Sequence, residues 1–413
     1  MRAFSPCLLA LLALSSGIGA CSASDAAVTN DAGANESDAS YTLDGSPIVS
    51  GDAGDTSIAD DLVLPIGPEQ EAIKTPIVGI QYWTWFAYDK PAPHCDGAGW
   101  KDNPFGQAGT ASLVFNVDPK GVCYSSIDPN TARVHAGFLR QLKADFVIYD
   151  ETNFSKTTAP ANNPMFQAEK AAIEGFSTAT EKMKSVFMLA ITCWGEQCLN
   201  RPGDHTERFT FTEHVKEHVI EIAKLYKKSP EAFLRVEKKP LLLFYVNQGS
   251  NVLADNGQPA FKGAANLVPL PDQFEPVRYN GVDYKIHDLF TIRYAIVADA
   301  SFDYSPYSKE IWPFQCNSES CGFAETGYAS LYAPKIGGRS LARMNAQIDA
   351  SKAKPYLVLR SWNEFSSTDE HAAGGGAYTL EPNTTLQKFD TTPGNMDPWY
   401  MFNSLKAKMA TVK

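Results

Sequence analysis

The sequence predicts a (β/α)8 TIM-type barrel with long mouth loops, preceded by a signal peptide (residues 1–20) and a disordered linker (residues 21–73). Short apolar runs recur along residues 74–413 with amphipathic stretches between them, which is the alternation of a β/α fold. The runs are continuous, as expected of parallel strands buried on both faces. Three irregular stretches fit loops over the barrel mouth, the end where the strands finish: residues 93–125, 247–285 and 301–327. A doubly wound open sheet is the alternative.

The apolar runs and amphipathic stretches give the predicted elements. Six strands are predicted, at Ile77–Tyr82, Phe146–Tyr149, Val186–Thr192, Leu241–Val246, Thr291–Ala298 and Tyr356–Arg360. Five helices are predicted, at Thr131–Lys143, Phe166–Lys184, Thr212–Lys228, Leu341–Ser351 and Trp399–Thr411. In the third helix, Thr210 with Glu213 has the form of a capping box. No glycine-rich nucleotide motif occurs, so no cofactor is expected.

The N-terminus has the order of an export signal. Arg2 precedes an apolar run from Cys7 to Leu14, which is too short to span a bilayer, and small residues follow up to Cys21. The segment before Cys21 matches the site at which bacterial lipoproteins are cut and acylated on the cysteine. We therefore expect an exported lipoprotein held at the outer membrane or cell surface by its lipid alone. An ordinary secretory signal followed by an unrelated cysteine is the alternative.

The linker carries most of the net charge. Residues 22–73 contain eleven acidic residues, no Lys or Arg and one aromatic residue, Tyr41, so they bury too little apolar surface to fold alone. The formal charge of the chain is −11, which leaves about −1 for residues 74–413. The folded part is therefore nearly neutral. It lacks the basic surface that binds nucleic acid, so no nucleic-acid partner is expected. We also expect the protein to be a monomer.

Six cysteines remain after the signal peptide and the lipid site: Cys95, Cys123, Cys193, Cys198, Cys316 and Cys321. An even number outside the cytoplasm favours disulfides. The simplest pairing joins the two close pairs, Cys193 with Cys198 and Cys316 with Cys321, and leaves Cys95 with Cys123. A zinc site is the alternative, although the C-x-x-C spacing typical of zinc is absent.

The strongest local motif follows the last predicted strand, where Arg360 leads into Ser-Trp362-Asn363-Glu364. A carboxylate at the carboxyl end of a barrel strand is positioned for acid/base chemistry. Beside it, an amide can hydrogen-bond a sugar hydroxyl and an indole can stack on a sugar ring. The alternative is that Glu364 forms a structural ion pair with Arg360.

This motif, continued through Glu370 to Leu380-Glu381-Pro382, resembles the N-E-W-x-E-G…I-E-P signature of the endo-α-mannosidase family. The aromatic segment 78–85 is similar to the first strand of that family, and residues 124–128 and 144–153 are similar to its next helix and strand. The resemblance implies a β/α-barrel glycoside hydrolase, as in the related α-1,3-glucanases. It also implies that Glu364 and a neighbouring carboxylate flank the glycosidic bond.

One position departs from the family pattern. The second glutamate of the signature would fall at position 367, where this chain has Ser367. Asp369 and Glu370 are the nearest carboxylates that a loop insertion would bring to the same place. The separation of the two carboxyl groups decides between retention and inversion, and a sequence does not give it.

Asp150 and Glu151 end another predicted strand, and adjacent strand residues point to opposite faces. We therefore expect only one of them, Asp150, to face the site and act as a catalytic carboxylate. Sugar binding is predicted for aromatic and polar residues near the strand ends and in the loops: Tyr82, Trp83, Trp85, Trp362, Asn363, Asp303, Trp312 and Glu381.

A competing motif lies in the third helix, where residues 214–218 read H-x-x-E-H. That pattern puts two histidines one turn apart, as in a class of zinc peptidases that would use His214, Glu217 and His218. These residues flank the apolar stripe of a charged outer helix, away from the barrel mouth, so we expect no metal.

The sequence therefore predicts an endo-acting, lipid-anchored glycoside hydrolase whose partner is a polysaccharide or oligosaccharide. A non-catalytic glycan-binding lipoprotein on a degenerate barrel is the alternative, because of Ser367.

Replacing the proposed lipid site tests the N-terminal prediction. Cys21→Ser removes the sulfur to which the lipid would be attached, so the protein should leave the membrane fraction or keep its signal peptide. Fractionation and intact-mass measurement distinguish these products. A processed Cys21→Ser protein that stays in the membrane at the wild-type level would refute the lipoprotein assignment.

Overall fold

The computed structural model describes residues 61–67, 75–84, 124–152, 154–155, 158–190, 212–246, 274–298, 311–316, 323, 325–333, 338–363, 380–381 and 399–413. The strands are β1 (Ile77–Tyr82), β2 (Phe146–Asp150), β3 (Lys184–Ala190), β4 (Arg235–Val236), β5 (Lys239–Val246), β6 (Val277–Tyr279), β7 (Val282–Tyr284), β8 (Thr291–Ala298), β9 (Ile311–Cys316), β10 (Thr326–Ser330), β11 (Tyr332–Ala333), β12 (Gly338–Arg339) and β13 (Tyr356–Arg360). The α-helices are α1 (Pro129–Gln141), α2 (Pro164–Thr178), α3 (Glu213–Lys228), α4 (Ile286–Leu289), α5 (Leu341–Ser351) and α6 (Tyr400–Met409).

Eight parallel strands form a nearly closed barrel, which confirms the predicted fold class. Their order around the barrel is β10-β13-β1-β2-β3-β5-β8-β9, and β9 and β10 contact one another where the sheet would close. β4 pairs with β5 in an antiparallel hairpin at the opposite end of the barrel from the mouth. Helices α1, α2 and α3 each follow a barrel strand, and α5 lies between β10 and β13.

Two buried layers hold the barrel together. The interior layer consists of the inward side chains of the strands, among them Phe146, Ile148, Leu243 and Val358. The outer layer packs the other face of the same strands against the helices. The continuous apolar runs in the sequence follow from this arrangement, because both faces of each strand are buried.

Two barrel strands differ from the sequence prediction, which assigned residues 301–327 to a loop. β9 contains Pro313 within an aromatic segment, and β10 is a short stretch of small residues, so neither has the apolar run of a buried strand. The predicted capping box also differs. Thr212 is the N-cap residue of α3, and its side chain accepts a hydrogen bond from the Val215 amide.

The folded unit begins before the predicted linker ends. The compact unit spans residues 59–413, and residues 61–67 lie against α3. Leu62 is fully buried, and the Tyr226 hydroxyl donates to the Pro65 carbonyl over 3.1 Å. The short apolar run Leu62–Ile66 explains the difference, because the polar composition of the whole linker conceals it. None of the helices in the described part is long and apolar enough to cross a membrane.

Helices α1 and α2 cross so closely that a glycine is required at the contact. A Cβ added to Gly175 of α2 would lie 2.2 Å from the Pro129 carbonyl oxygen at the start of α1. Gly137 of α1 has open space at the corresponding position. The two helical glycines therefore differ in their surroundings and share their backbone conformation.

This contrast predicts opposite effects of one substitution. Gly175→Ala should lower the free energy of unfolding by roughly 1–3 kcal/mol, because the helices must separate to admit the methyl group. Gly137→Ala should raise it by about 0.5–1 kcal/mol, since alanine favours an open helical site. Urea unfolding of both variants checks this. Equal effects of the two substitutions would show that α1 and α2 are not in close contact at Gly175.

Candidate active site

A side-chain amide joins the carboxyl ends of β1 and β13. Asn363 accepts a hydrogen bond from the Trp83 amide (2.8 Å) and donates one to the Trp83 carbonyl (2.9 Å). The Trp362 amide also donates to the Gln81 carbonyl over 2.8 Å. β1 and β13 are thus held together beyond their last backbone pairing. Glu364 directly follows Asn363 in the sequence.

The amide of Asn363 belongs to a buried polar chain, which we call the Glu381 network. Asn363 also donates to the Tyr124 hydroxyl (2.9 Å), which in turn donates to Glu381 Oε2 (3.1 Å). His135 Nε2 of α1 lies 3.5 Å from Glu381 Oε1, and His135 Nδ1 lies 2.8 Å from the Tyr82 hydroxyl. The members of this network are almost completely buried.

The chain returns to the same strand end after residues 364–379, which lie outside the described residues. The Leu380 amide donates to the Ser361 carbonyl, and the Glu381 amide donates to the Trp362 carbonyl, each over 2.8 Å. The described residues on both sides of this sixteen-residue segment are therefore joined to one another by backbone hydrogen bonds.

Asp150 lies at the carboxyl end of β2 and shares the inward face of the strand with Phe146 and Ile148. Its Oδ1 accepts hydrogen bonds from the Thr152 amide (3.0 Å) and hydroxyl (2.6 Å). These bonds fix one carboxylate oxygen. A carboxylate held in this way keeps a defined direction at the mouth of the barrel.

Polar and aromatic side chains line the interior below the mouth. Arg360 donates to Gln315 Oε1 over 2.9 Å and lies 4.4 Å above the Phe314 ring. Gln81 donates to the Phe314 carbonyl over 2.9 Å, and the Tyr245 ring lies 4.8 Å from the Phe314 ring. Burial raises the pKa of Tyr245, Asp150 raises it further and Arg360 lowers it. Tyr245 is therefore a neutral phenol near Asp150 and Arg360.

A second buried cluster, which we call the Glu151 cluster, lies on the outer side of the carboxyl end of β2. Asn163 donates to Glu151 Oε2 over 2.8 Å, and His218 Nε2 of α3 lies 3.8 Å from the same oxygen. Glu169 of α2 interacts with Glu151, and all four side chains are fully buried. Burial raises the pKa of Glu151 to about 7 and holds the pKa of Glu169 well above its usual value.

The two histidines of the H-x-x-E-H motif face different surroundings. His214 is partly exposed and lies 3.1 Å from Glu217, whereas His218 is buried and hydrogen-bonds the His214 carbonyl through Nδ1. Burial lowers the pKa of His218. Among the described residues, no group of three or more His, Cys, Asp or Glu side chains is placed to hold a metal ion.

Several residues predicted to bind sugar have packing positions instead. Trp362 stacks on Phe138 of α1 in the outer layer, and Tyr82 is buried there with its hydroxyl on His135. Trp312 belongs to β9 and fills the barrel interior beside Tyr356, at the start of β13. Continuous apolar strands do not reveal which side chains face outward, and this explains the difference.

Three further predicted sugar ligands are also buried. Asn363 and Glu381 are fully buried within the Glu381 network, and both Trp83 backbone groups are bonded to Asn363. Their polar groups therefore hold the strand ends in place. The other candidates lie outside the described residues: Trp85, Asp303, Glu364, Ser367, Asp369 and Glu370.

Sequence reasoning missed the residues of the interior and of the two clusters: Gln81, Tyr245, Phe314, Gln315, His135, Asn163 and Glu169. For Gln81 and Tyr245 a signal existed, since each is the last inward residue of its strand, as Asp150 is. For His135 and Glu169 there was none, because a polar residue on an amphipathic helix is usually exposed.

Among the cysteines, Cys316 lies in β9 and is disulfide-bonded. The other five cysteines of the folded part lie outside the described residues. The pairing proposed from the sequence stays a prediction.

The chain is thus a β/α barrel with a carboxylate and a neutral phenol inside its mouth and polar clusters behind it. No protein-family model and no curated protein sequence matches it. Among solved structures it is similar to a family GH99 endo-alpha-mannosidase from Bacteroides thetaiotaomicron in complex with bis-tris-propane, with a TM-score of 0.43 and 14% identity, covering 82% of this chain and 99% of that chain.

A second structure of the endo-alpha-mannosidase from that organism has a TM-score of 0.43 and 13% identity, with 82% of this chain and 99% of that chain covered. A glycoside hydrolase-like protein has a TM-score of 0.42 and 10% identity, with 82% and 95% covered. The barrel assignment of this chain comes from its own strand order.

The raised pKa values of the Glu151 cluster predict a pH-dependent stability. The folded protein keeps protons that the unfolded chain releases, so the free energy of unfolding should fall as pH rises from 4.5 through about 7. Each retained proton contributes a slope of about 1.4 kcal/mol per pH unit. Glu169→Gln removes one of the two carboxyl groups and should flatten this decline.

Urea unfolding between pH 5 and pH 8 measures the effect. At pH 8, Glu169→Gln should be more stable than the wild type by roughly 1–3 kcal/mol. Glu174→Gln is the matched control, because Glu174 is an exposed residue of the same helix. A Glu169→Gln profile that runs parallel to the control would mean that the buried pair carries no extra proton.

Proposed function

We propose that the chain is a glycoside hydrolase that cleaves internal O-glycosidic bonds of an extracellular polysaccharide by carboxylate acid/base chemistry. The observation that carries the proposal is the position of two strand ends. Asp150 ends β2, Glu364 follows β13 in the sequence, and β1 alone lies between these strands. Strand ends two positions apart are about 10 Å from each other. Carboxyl pairs of glycosidases are separated by roughly 5–10 Å, which side chains extending from such ends can reach.

The proposed roles follow from the surroundings of each group. Glu364 is the general base or nucleophile, as the sequence resemblance implies, and Asp150 is the second carboxylate. Asp369 and Glu370 are the alternatives for the second carboxylate, because Ser367 stands at the family's position. Tyr245 remains protonated and can donate a hydrogen bond to a substrate oxygen near Asp150.

The proposed location is outside the cytoplasm. The signal-like segment and Cys21 support an exported lipoprotein at the outer membrane or cell surface. There the substrate would be a polysaccharide or oligosaccharide, with the membrane contacted through the lipid alone. The proposal includes neither a metal nor a cofactor, and the protein would act as a monomer.

A glycan-binding lipoprotein without catalytic activity is the second candidate, and Ser367 is the observation that favours it. A barrel that had lost its second carboxylate would bind glycans without cleaving them. The two candidates make different predictions for the same substrates. Reducing-end release from yeast α-mannan, α-1,3-glucan, amylose, xylan and cellulose, with binding to each measured in parallel, separates them.

Charge-removing substitutions test the catalytic assignment. Glu364→Gln and Asp150→Asn keep the side-chain shape but remove proton transfer, so kcat should fall by roughly two to four orders of magnitude on the polysaccharide that the wild type cleaves. The melting temperature should hardly change, since the amide oxygen introduced by Asp150→Asn would still accept the hydrogen bonds from Thr152. Glu231→Gln, at an exposed carboxylate before β4, is the control and should keep full activity.

The outcomes distinguish the interpretations of the motif. If Glu364 is an ion-pair partner of Arg360, Glu364→Gln lowers the melting temperature and keeps kcat. Full activity of both variants would refute the assignment of these carboxylates. If the wild type binds at least one of the five polysaccharides and cleaves none of them, the result would favour the glycan-binding protein.

A further inference from the structure

The Glu381 network has one feature that the proposed chemistry does not use, a buried carboxyl group behind the barrel mouth. Glu381 is fully buried, and its two oxygens face Tyr124 and His135. Burial raises the pKa of Glu381, and the neighbouring His135 and Tyr124 oppose that rise.

The backbone of Trp83 fixes the direction of the bonds in this half of the network, because an amide N–H can only donate and a carbonyl can only accept. The Tyr124 hydroxyl gives its single proton to Glu381, so its oxygen must accept from Asn363. The amino group of Asn363 therefore faces Tyr124 and the Trp83 carbonyl. The amide oxygen of Asn363 is left to accept from the Trp83 amide.

The other half of the network runs from Glu381 through His135 to Tyr82. His135 Nε2 lies 3.5 Å from Glu381 Oε1, and His135 Nδ1 lies 2.8 Å from the Tyr82 hydroxyl. Tyr82 is the last residue of β1, and Trp83 follows it. Both ends of the network therefore meet on the carboxyl end of β1, and Glu381 is the group on which both halves converge.

We infer that Glu381 is a positioning residue, which through Tyr124 orients the Asn363 amide that joins the carboxyl ends of β1 and β13. The inference rests on the proposed function, because Asn363 directly precedes the proposed catalytic Glu364. Glu381 contacts no substrate in this role. It holds the Asn363 amide at the carboxyl end of β13, and Glu364 is the next residue in the sequence, so the loss of Glu381 should slow turnover without removing the proposed catalytic group.

Kinetics of three variants test the role on the polysaccharide that the wild type cleaves. Tyr124→Phe removes the bridging hydroxyl, and Glu381→Gln replaces one of the two carboxyl oxygens at the end of the chain with an amino group. Each should lower kcat roughly 10- to 100-fold, as expected for a displacement of about 1 Å, and should change KM less than about threefold. The double variant should be no slower than the slower single variant, because both substitutions break one chain.

Tyr149→Phe is the matched control, because it removes an equally buried hydroxyl from β2, whose bond to Ser185 is outside the network. It should keep the wild-type kcat. If the two reductions in kcat multiply in the double variant, the substitutions act independently and the inference is wrong. The inference is also wrong if either single variant has the same kcat as Tyr149→Phe.

Hydrogen exchange tests the same linkage without any substrate. Asn363 protects the Trp83 amide, so peptides that contain residues 79–84 should exchange faster in Tyr124→Phe and in Glu381→Gln than in Tyr149→Phe. Unchanged exchange at Trp83 in both variants would overturn the inference. Wild-type protein that cleaves none of the five polysaccharides would refute the proposed function, and the exchange measurement would then decide the role of Glu381 alone.

Discussion

The side-chain amide of Asn363 takes the place of a backbone pair between two barrel strands. The ladder of β1 and β13 ends at Ile80 and Leu359, and beyond it Asn363 bonds both the amide and the carbonyl of Trp83. A side chain that makes both bonds fixes the relative position of the two strand ends as a ladder pair would. Beside this junction, the Trp362 amide bonds the Gln81 carbonyl and the Leu380 amide bonds the Ser361 carbonyl.

The polar groups of the barrel are divided between its two faces. Asp150 and Arg360 point into the barrel, where Asp150 raises the pKa of Tyr245 and Arg360 lowers it. Glu151 and Glu381 lie on the outer side, each beside a histidine from a helix. Burying a carboxyl group costs free energy compared with apolar packing, because the group loses its contacts with water. The contribution of Glu151 and Glu381 here is geometric, since each outer carboxyl group restricts the strand end that it contacts.

The sequence predicted the barrel because six of its eight strands have the continuous apolar runs of doubly buried strands. It missed β9 and β10, since Pro313 interrupts the first and small residues form the second. The continuous runs also concealed side-chain direction, so Trp312 and Tyr82 were expected at a sugar site and lie in the two packing layers. The role of His135 depends on contacts between residues far apart in the chain, which a local pattern does not contain.

Backbone hydrogen bonds join Leu380 and Glu381 to Ser361 and Trp362. Because of these bonds, the free energy of unfolding of the barrel should depend little on how many residues lie between Asn363 and Leu380. Loop-closure entropy grows slowly with length, by about 0.6 kcal/mol for each doubling, once the two ends are joined. Extra residues between Asn363 and Leu380 would therefore cost little free energy of folding, because the hydrogen bonds that join the flanking residues would stay the same. A longer segment can bring in additional carboxylates without changing the strands on either side of it. This is a physical route by which Asp369 or Glu370 would replace a glutamate absent at position 367.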